Sequence, residues 1–293
     1  MLGGSPCPWC GYYNANGEAR CGRCDKRLPP ASVGRWLRRL DPASAPVTRA
    51  LVAINVLVFL LQLADGRTIG MNVTDSMPHS TLLRFGALTN GLETAEPARL
   101  LAACFVHMSV MHILFNMMGL VQLGRVGEAA LGSTRLLVTY VLSGIVGFVV
   151  SGVWYALGEG GRPYVTAGAS GAIFGLAGLV IAGLAVRRDP RWKEMFVNLL
   201  VYSFLMYFGL HTNQAAHLGG LVVGLGAGVL FAVETPRWRL DPVFAVLAAV
   251  CALAIPVSLV LPQTSSVWHR LRTVEKLRIE RRNNPEPPIP LGR

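Results

Sequence analysis

The 293-residue chain is 52% hydrophobic, only 15% charged, and has a mean hydropathy of +0.45. Soluble domains carry about 25% charged residues, and the apolar excess here is gathered in long blocks, which excludes an ordinary water-soluble globule and indicates a membrane protein. The formal charge of +11 sits in a few short segments without an aromatic-and-basic stripe. It reads as topology signal and lipid-surface contact, and no nucleic-acid partner is expected.

Residues 1–30 are polar and carry Cys7-Pro-Trp-Cys10 and, ten residues on, Cys21-Gly-Arg-Cys24. Two C-x-x-C knuckles let four thiolates converge tetrahedrally on one zinc, with Zn–S near about 2.3 Å. So short a segment cannot bury a core of its own, so the metal would supply its folding energy. Two disulfides or a redox C-x-x-C are the alternatives; a cytoplasmic location disfavours the first, and the doubling of the knuckle disfavours the second. The segment is therefore expected to be a zinc-ribbon-like module whose metal is structural, with scaffolding or an unknown cytoplasmic partner as its role. The start of the chain shows no cleaved signal peptide, so the first apolar block is expected to act as the insertion signal. The remaining cysteines, Cys104 and Cys251, stand alone in apolar surroundings and read as small hydrophobes.

A basic linker follows over 31–48, with Arg35, Arg38 and Arg39. Apolar blocks then fall at about 49–64, 101–124, 134–157, 168–186, 195–210, 215–233 and 243–261, each near the roughly 20 residues needed to cross hydrocarbon. The stretch 65–98 between the first two is long, polar and broken by short apolar runs, the pattern of a functional outer loop lying partly at the interface. The expected fold is an all-α polytopic membrane protein: a six-helix bundle over 49–233, a seventh C-terminal transmembrane helix over 234–263, and a basic, partly disordered tail over 264–293 that begins as a short amphipathic helix. Arg187, Arg188, Arg191, Lys193, Arg237 and Arg239 all fall on the side of the N-terminus, which places that terminus in the cytoplasm and the tail outside.

Polar residues inside a membrane are functional hypotheses by default. The second block holds His107, His112 and Asn116; at 100° per residue the last two share a face while His107 points elsewhere. The fourth block opens with Gly168-Ala169-Ser170-Gly171, the sixth with Asn213-Gln214-Ala215-Ala216-His217. Ser170 and His217 each lie 17 positions before the next charge, Arg187 and Glu234. At about 1.5 Å per residue both sit about 25 Å above the inner edge, just below the outer surface. His112 and Asn116, counted from Glu128, reach nearly the same level. Irregular backbone at that depth is tolerated only around a wet cavity or against protein.

Such a pocket suits acyl transfer. An imidazole activates a serine hydroxyl, and Asn116, His112 and a backbone N–H at the start of the Ser170 helix could hold the oxyanion. No acid is in reach, so Ser170 and His217 would form a dyad. Glycines at spacings of three and four, Gly171, Gly175 and Gly178 against Gly220, Gly224 and Gly228, would let the two helices approach closely.

Gly168-Ala-Ser170-Gly171, His107-x4-His112-x3-Asn116 and Ala216-His217 followed by Gly220 and Gly224 resemble the three signature motifs of rhomboid proteases. Glu128-x3-Gly132 and Leu83-Arg84-Phe85-Gly86-Ala87 look like the same family. The resemblance covers roughly 49–233, the seventh helix matching the family's 6+1 variants. It implies an intramembrane serine endopeptidase of the bacterial inner membrane that needs no cofactor for catalysis and cuts transmembrane proteins within the lipid bilayer. Ser170 would be the nucleophile, His217 the base, His112 and Asn116 the oxyanion donors, and His107, Gly168 and Gly171 supports. Phe174 stands where a tyrosine stacks on the catalytic histidine, and Pro97-Ala98-Arg99 lacks the aromatic of an aromatic–Arg pair that anchors the first loop. The alternatives are a catalytically silent relative that binds membrane clients for quality control, a transporter or channel, and a zinc metalloprotease. Retention of both Ser and His, the lack of an intramembrane charge for coupling, and the lack of H-E-x-x-H argue against them in turn.

Overall fold

The computed structural model describes residues 4–6, 13–15, 18–27, 45–69, 76–89, 91–158, 164–210, 212–234 and 240–283. Among these the N-terminal segment forms a hairpin of β1 (Gly4–Pro6) and β2 (Tyr13–Ala15), paired antiparallel with Gly4 opposite Ala15. Cys7 and Cys10 lie outside the described residues. Cys21 and Cys24 occupy a second tight turn, closed by an Arg20–Arg27 bridge and by Cys21 N donating 3.0 Å to Lys26 O.

The first long helix, α1, runs Pro46–Arg67 and starts three residues earlier than its apolar block. Proline at the helix start needs no N–H partner, and the N-cap Ala45 offers no side chain. The buried Glu128 carboxylate does the capping instead, accepting from Val47 N (2.9 Å), Thr48 N (2.8 Å), Thr48 Oγ1 (2.7 Å) and Ser133 Oγ (2.6 Å). A negative group at a helix N-terminus meets both the orphan N–H groups and the positive end of the dipole. One residue thus ties the start of α1 to the turn between two later helices.

The first loop is built. It contains α2 (His79–Phe85), β3 (Leu88–Thr89), α3 (Leu92–Ala95) and α4 (Arg99–Ala102), followed by a 3-10 turn at Ala103–Phe105. The second apolar block is not one straight span. Val106 is extended, Ser109 caps a new helix, α5 (Val110–Leu131), and the two helical pieces are bent by 94°. His107 therefore precedes the long helix and does not belong to its face.

The remaining helices are α6 (Ser133–Gly158), α7 (Ser170–Val186), α8 (Arg191–Leu210), α9 (Gln214–Val233), α10 (Asp241–Val260) and α11 (Ser266–Asn283), with the short strand β4 (Val165–Thr166) before α7. Six of the seven apolar blocks each fall on one helix, and the second is divided between α4 with its 3-10 turn and α5. Among the described residues four helices, α1, α6, α9 and α10, are long and apolar enough to cross a membrane, and the bent pair would make a fifth; α7 is shorter at 17 residues. Their outward faces carry Leu57, Leu60, Trp154, Val222, Val246 and Leu253, all more than half exposed apart from the protein. A surface so apolar suits hydrocarbon rather than water, and the chain is an integral membrane protein.

α7 sits at the centre, packed most closely on α9 and α6, with α5 on another side and α1 beyond it. Leu120, Leu136, Leu176 and Leu179 fill the bundle. Arg135 at the start of α6 pairs with Glu234 (2.6 Å) after α9 and with Asp241 (2.8 Å) opening α10, which fastens α10 to the bundle. In the turn between α7 and α8, hydrogen bonds from Arg191 hold the Asp189 carboxyl down at about 2. The tail expected as a short amphipathic helix is helical over Ser266–Asn283 and lies against α2, on the side of the first loop; residues 284–293 lie outside the described residues.

Candidate active site

Ser170 is the first residue of α7 and His217 lies in the first turn of α9. Ser170 Oγ and His217 Nε2 are 2.9 Å apart, within the range for a nucleophile and its general base. His217 Nδ1 has no hydrogen-bond partner among the described residues, and none of their carboxylates orients the ring there. Phe174, one turn beyond Ser170, does so by stacking: the ring centroids are 4.1 Å apart and the planes differ by 7°.

The two helices can carry this pair because their backbones nearly touch. A methyl group placed on Gly220 would fall on Gly171 O, one on Gly224 on Gly175 O, and one on Gly178 within 2.6 Å of Leu221 O. Gly171 itself faces Ala216 O, 3.2 Å from where its Cβ would stand. The glycine spacing read from the sequence marks these contacts.

His107 and Asn116 are buried within the protein, and His112 joins them at the start of α5. His112 Nδ1 accepts from Met108 N at 3.4 Å. In a neutral ring the proton then resides on Nε2, and Nε2 is aimed at the Ser170 segment. One point locates this: a Cβ on Gly168 would be 2.7 Å from His112 Nε2 and 3.9 Å from Ser170 Oγ. Gly168 has φ of +129°, a conformation open to glycine, so the residue leaves free the space between hydroxyl and imidazole. Asn116 Nδ2 donates 2.8 Å to His112 O, which leaves one amide N–H for another acceptor.

His107 departs from expectation. Its ring does not point away; it packs edge-on against His112 with centroids 5.2 Å apart. Its backbone N–H and C=O exchange 3.2 Å hydrogen bonds with the side-chain amide of Gln62 on α1. Gln62 is fully buried, and a glutamine inside the first apolar block is the sequence signal of this contact.

Asn213, which opens the sixth apolar block, has a structural role. Its Oδ1 caps α9 by accepting from Ala216 N (3.1 Å), while its Nδ2 donates to Ser151 Oγ (2.6 Å) and Thr166 Oγ1 (3.0 Å). An Asn just before an apolar helical run is an N-cap signature. It fastens the helix of His217 to β4, the strand leading into Ser170. The Gly168 N–H, donating 2.8 Å to Ala103 O, fastens the same segment to the 3-10 turn.

The loss of the aromatic before Arg99 was expected to weaken the first loop's anchor. The loop is anchored nonetheless. Arg99 is wholly buried, with Nε on Glu96 (2.7 Å) and one terminal nitrogen on Leu83 O (2.5 Å) and Ala87 O (3.1 Å). Its guanidinium replaces the loop's missing internal hydrogen bonds.

The Rhomboid domain family matches residues 94–234. Rhomboid protease GluP of Bacillus subtilis is 32% identical over 185 residues, which cover 61% of this chain and 34% of that protein, so the match spans about a third of that relative's length. Rhomboid-like protease 2 of Toxoplasma gondii is 29% identical over 66% of this chain and 69% of its own. Rhomboid protease GlpG of Salmonella paratyphi A is 30% identical over 72% of this chain and 70% of its own.

Proposed function

The chain belongs to the rhomboid family, and from that premise we propose that it is an intramembrane serine endopeptidase using Ser170 and His217 as a dyad. The observation that carries the reading is the 2.9 Å approach of Ser170 Oγ to His217 Nε2 between two helices of a membrane bundle.

The chemistry runs in two halves. Ser170 Oγ attacks the scissile carbonyl carbon while His217 Nε2 takes the hydroxyl proton. The tetrahedral oxyanion is met by His112 Nε2–H, by the remaining N–H of Asn116 and by backbone N–H groups at the start of α7. His217 then gives its proton to the leaving amine, and the C–N bond breaks to leave an ester on Ser170. In the second half His217 deprotonates a water, which attacks the ester; the same proton returns to Ser170 and the new carboxyl terminus departs. His107 and Phe174 fix the rings of His112 and His217, and Gly168 and Gly171 keep the surrounding space open and the helices close.

A peptide bond inside a helix is shielded by its own turn, so the substrate must present an extended segment. We therefore assign as substrates membrane proteins whose transmembrane segments carry small or helix-breaking residues near the outer boundary. The basic loops support a cytoplasmic N-terminus, with the first loop and the tail on the outer side. The test is cleavage of a reporter with one transmembrane segment, in detergent, by wild type, Ser170→Ala and His217→Ala. Wild type should cleave and both variants, folded, should not; a Ser170→Ala protein that cleaves at the wild-type rate would remove the assignment.

We also propose that Cys7, Cys10, Cys21 and Cys24 hold one structural zinc. The support lies in the second knuckle, where Arg23 N is 3.4 Å from Cys21 Sγ, an N–H directed at a thiolate position. Metal analysis of the whole chain should find one zinc per protein, lost in Cys7→Ser/Cys10→Ser without loss of cleavage; retention of the metal would remove this proposal.

A further inference from the structure

The family match ends at residue 234, yet the polar contacts of α11, well beyond it, converge on the first loop. Arg272 pairs with Asp65 in the last turn of α1, and Asp65 also takes Arg84 and Thr81 Oγ1, the latter at 2.6 Å. Glu275 accepts from Ser80 Oγ (2.5 Å) and Ser80 N (3.4 Å) at the start of α2, whose own N-cap, Pro78, supplies no side-chain acceptor. Trp268 is buried with the guanidinium groups of Arg84 and Arg272 at 4.9 and 5.0 Å from its ring. Before the helix, Gln263 and Arg84 exchange hydrogen bonds of 2.9 and 3.0 Å, and Ser265 Oγ donates 2.8 Å to Glu96.

Glu96 is the same carboxylate that holds Arg99, the buried anchor of the loop. From there the path to the site is short. Arg99 grips Ala87 O, and the next residues, Leu88 and Thr89, pair with Thr166 and Val165. Thr166 in turn receives Asn213, the cap of the helix bearing His217, and two residues further on Gly168 opens onto Ser170. We propose that α11 is a clamp on the first loop and that Trp268, Arg272 and Glu275 are positioning residues for the Ser170–His217 pair, acting through α2, Arg99 and the β3–β4 pairing.

The burial supports a clamp over a casual contact. Asp65 and Arg272 side chains are 6% and 15% exposed, so the pair is shielded from the screening that makes surface ion pairs weak. Removing one partner leaves the other charge poorly satisfied. The opposite face of α11 carries Arg270, Val274 and Leu277, all exposed, and supplies an internal control on the same helix.

The kinetic arm of the test rests on the proteolytic reading; the exchange arm does not. In the full chain, Arg272→Ala combined with Glu275→Ala should raise amide hydrogen exchange at least tenfold in peptides covering 79–89 and, more weakly, in those covering 164–172. The rate of fluorophosphonate labelling at Ser170 and kcat should fall together by about tenfold, with KM for the reporter little changed. Arg272→Lys with Glu275→Gln, which keeps one donor and one acceptor, should recover most of both, and Arg270→Ala should change neither. Should the alanine pair fold poorly, Trp268→Phe, which removes the 3.3 Å hydrogen bond that Trp268 Nε1 donates to Gln263 O and trims the ring, carries the same expectation at a smaller size. Unchanged exchange over 79–89 overturns the clamp. Raised exchange there with 164–172 and the labelling rate unchanged overturns the positioning role and leaves a merely structural one. If wild type neither cleaves nor labels, the proteolytic reading fails on its own, and exchange over 164–172 alone decides the coupling.

Discussion

Gly220→Ala should cripple the site without touching any reacting atom. The added Cβ would fall on Gly171 O, with Gly171 C at 2.7 Å and Gly171 Cα at 3.3 Å. The obstacle is backbone on a helix buried among its neighbours, so no side chain can swing aside. A carbon–oxygen contact relaxes at about 3.3–3.6 Å, and α7 and α9 must part by on the order of 1 Å at this level to reach it. Gly220 lies one turn below His217, so the dyad shares the displacement. Its 2.9 Å hydrogen bond would leave the range of about 2.6–3.2 Å in which proton transfer is efficient. A misplacement of about 1 Å costs roughly 10²-fold, or about 2.7 kcal/mol of barrier, and overpacking adds about 1–3 kcal/mol of lost stability. Reporter cleavage, fluorophosphonate labelling and thermal unfolding in one detergent should register all three. Gly226→Ala on the same helix is the control, since a Cβ there meets nothing within 4 Å; it should be active and at least as stable, because alanine is the better helix former by about 1 kcal/mol. Full activity of Gly220→Ala, or equal damage from Gly226→Ala, would refute the reasoning.

In the proposed mechanism Asn116→Ala removes one oxyanion donor and leaves others, so kcat should drop about 10²–10³-fold while Ser170 still accepts a fluorophosphonate; a harmless substitution would take Asn116 out of the pocket. Glu128→Ala strips three donors at the start of α1 and one at the start of α6 of their common acceptor. It should lower stability by about 2–4 kcal/mol, read as a lower Tm, while the protein that stays folded cleaves normally; a selective loss of turnover would contradict a purely architectural role.

The apolar blocks and the polar residues within them were enough to find the helices and the residues now seen around Ser170. Membrane helices announce themselves by length, and a histidine or asparagine in hydrocarbon is conspicuous. The bend at Val106–Ser109 was hidden because apolar composition runs straight through it, and only Ser109, an N-cap before Val110, betrays the restart. The anchoring by Arg99 is not legible in the sequence for a different reason. Its carbonyl partners, Leu83 and Ala87, are backbone atoms that any sequence would present, so the contact has no residue-type signature. The docking of α11 is invisible for the same cause at longer range. Glu275 and Ser80 are 195 positions apart, and no periodicity connects them.

Two kinds of restraint therefore meet at the candidate site, and they fail differently. The Ser170–His217 distance is set by backbone-to-backbone contact along α7 and α9, which has no soft degree of freedom and was written as glycine spacing. The approach to that pair is set by irregular segments, the 3-10 turn, β4 and the first loop, each held by side chains on single backbone groups: Gln62 on His107, Asn213 on the start of α9, Arg99 on Leu83 and Ala87. A rigid helix contact can hold a hydrogen bond to a few tenths of an ångström in a bilayer without a third residue to orient the base, and the stack of Phe174 on His217 fixes the one rotation that remains. A triad acid would instead have to be buried as a charge beside His217, at a desolvation cost that a membrane interior raises. In the proposed mechanism a dyad therefore avoids that cost, and the segments leading to it are the ones held by single hydrogen bonds that can be gained or lost without opening the bundle.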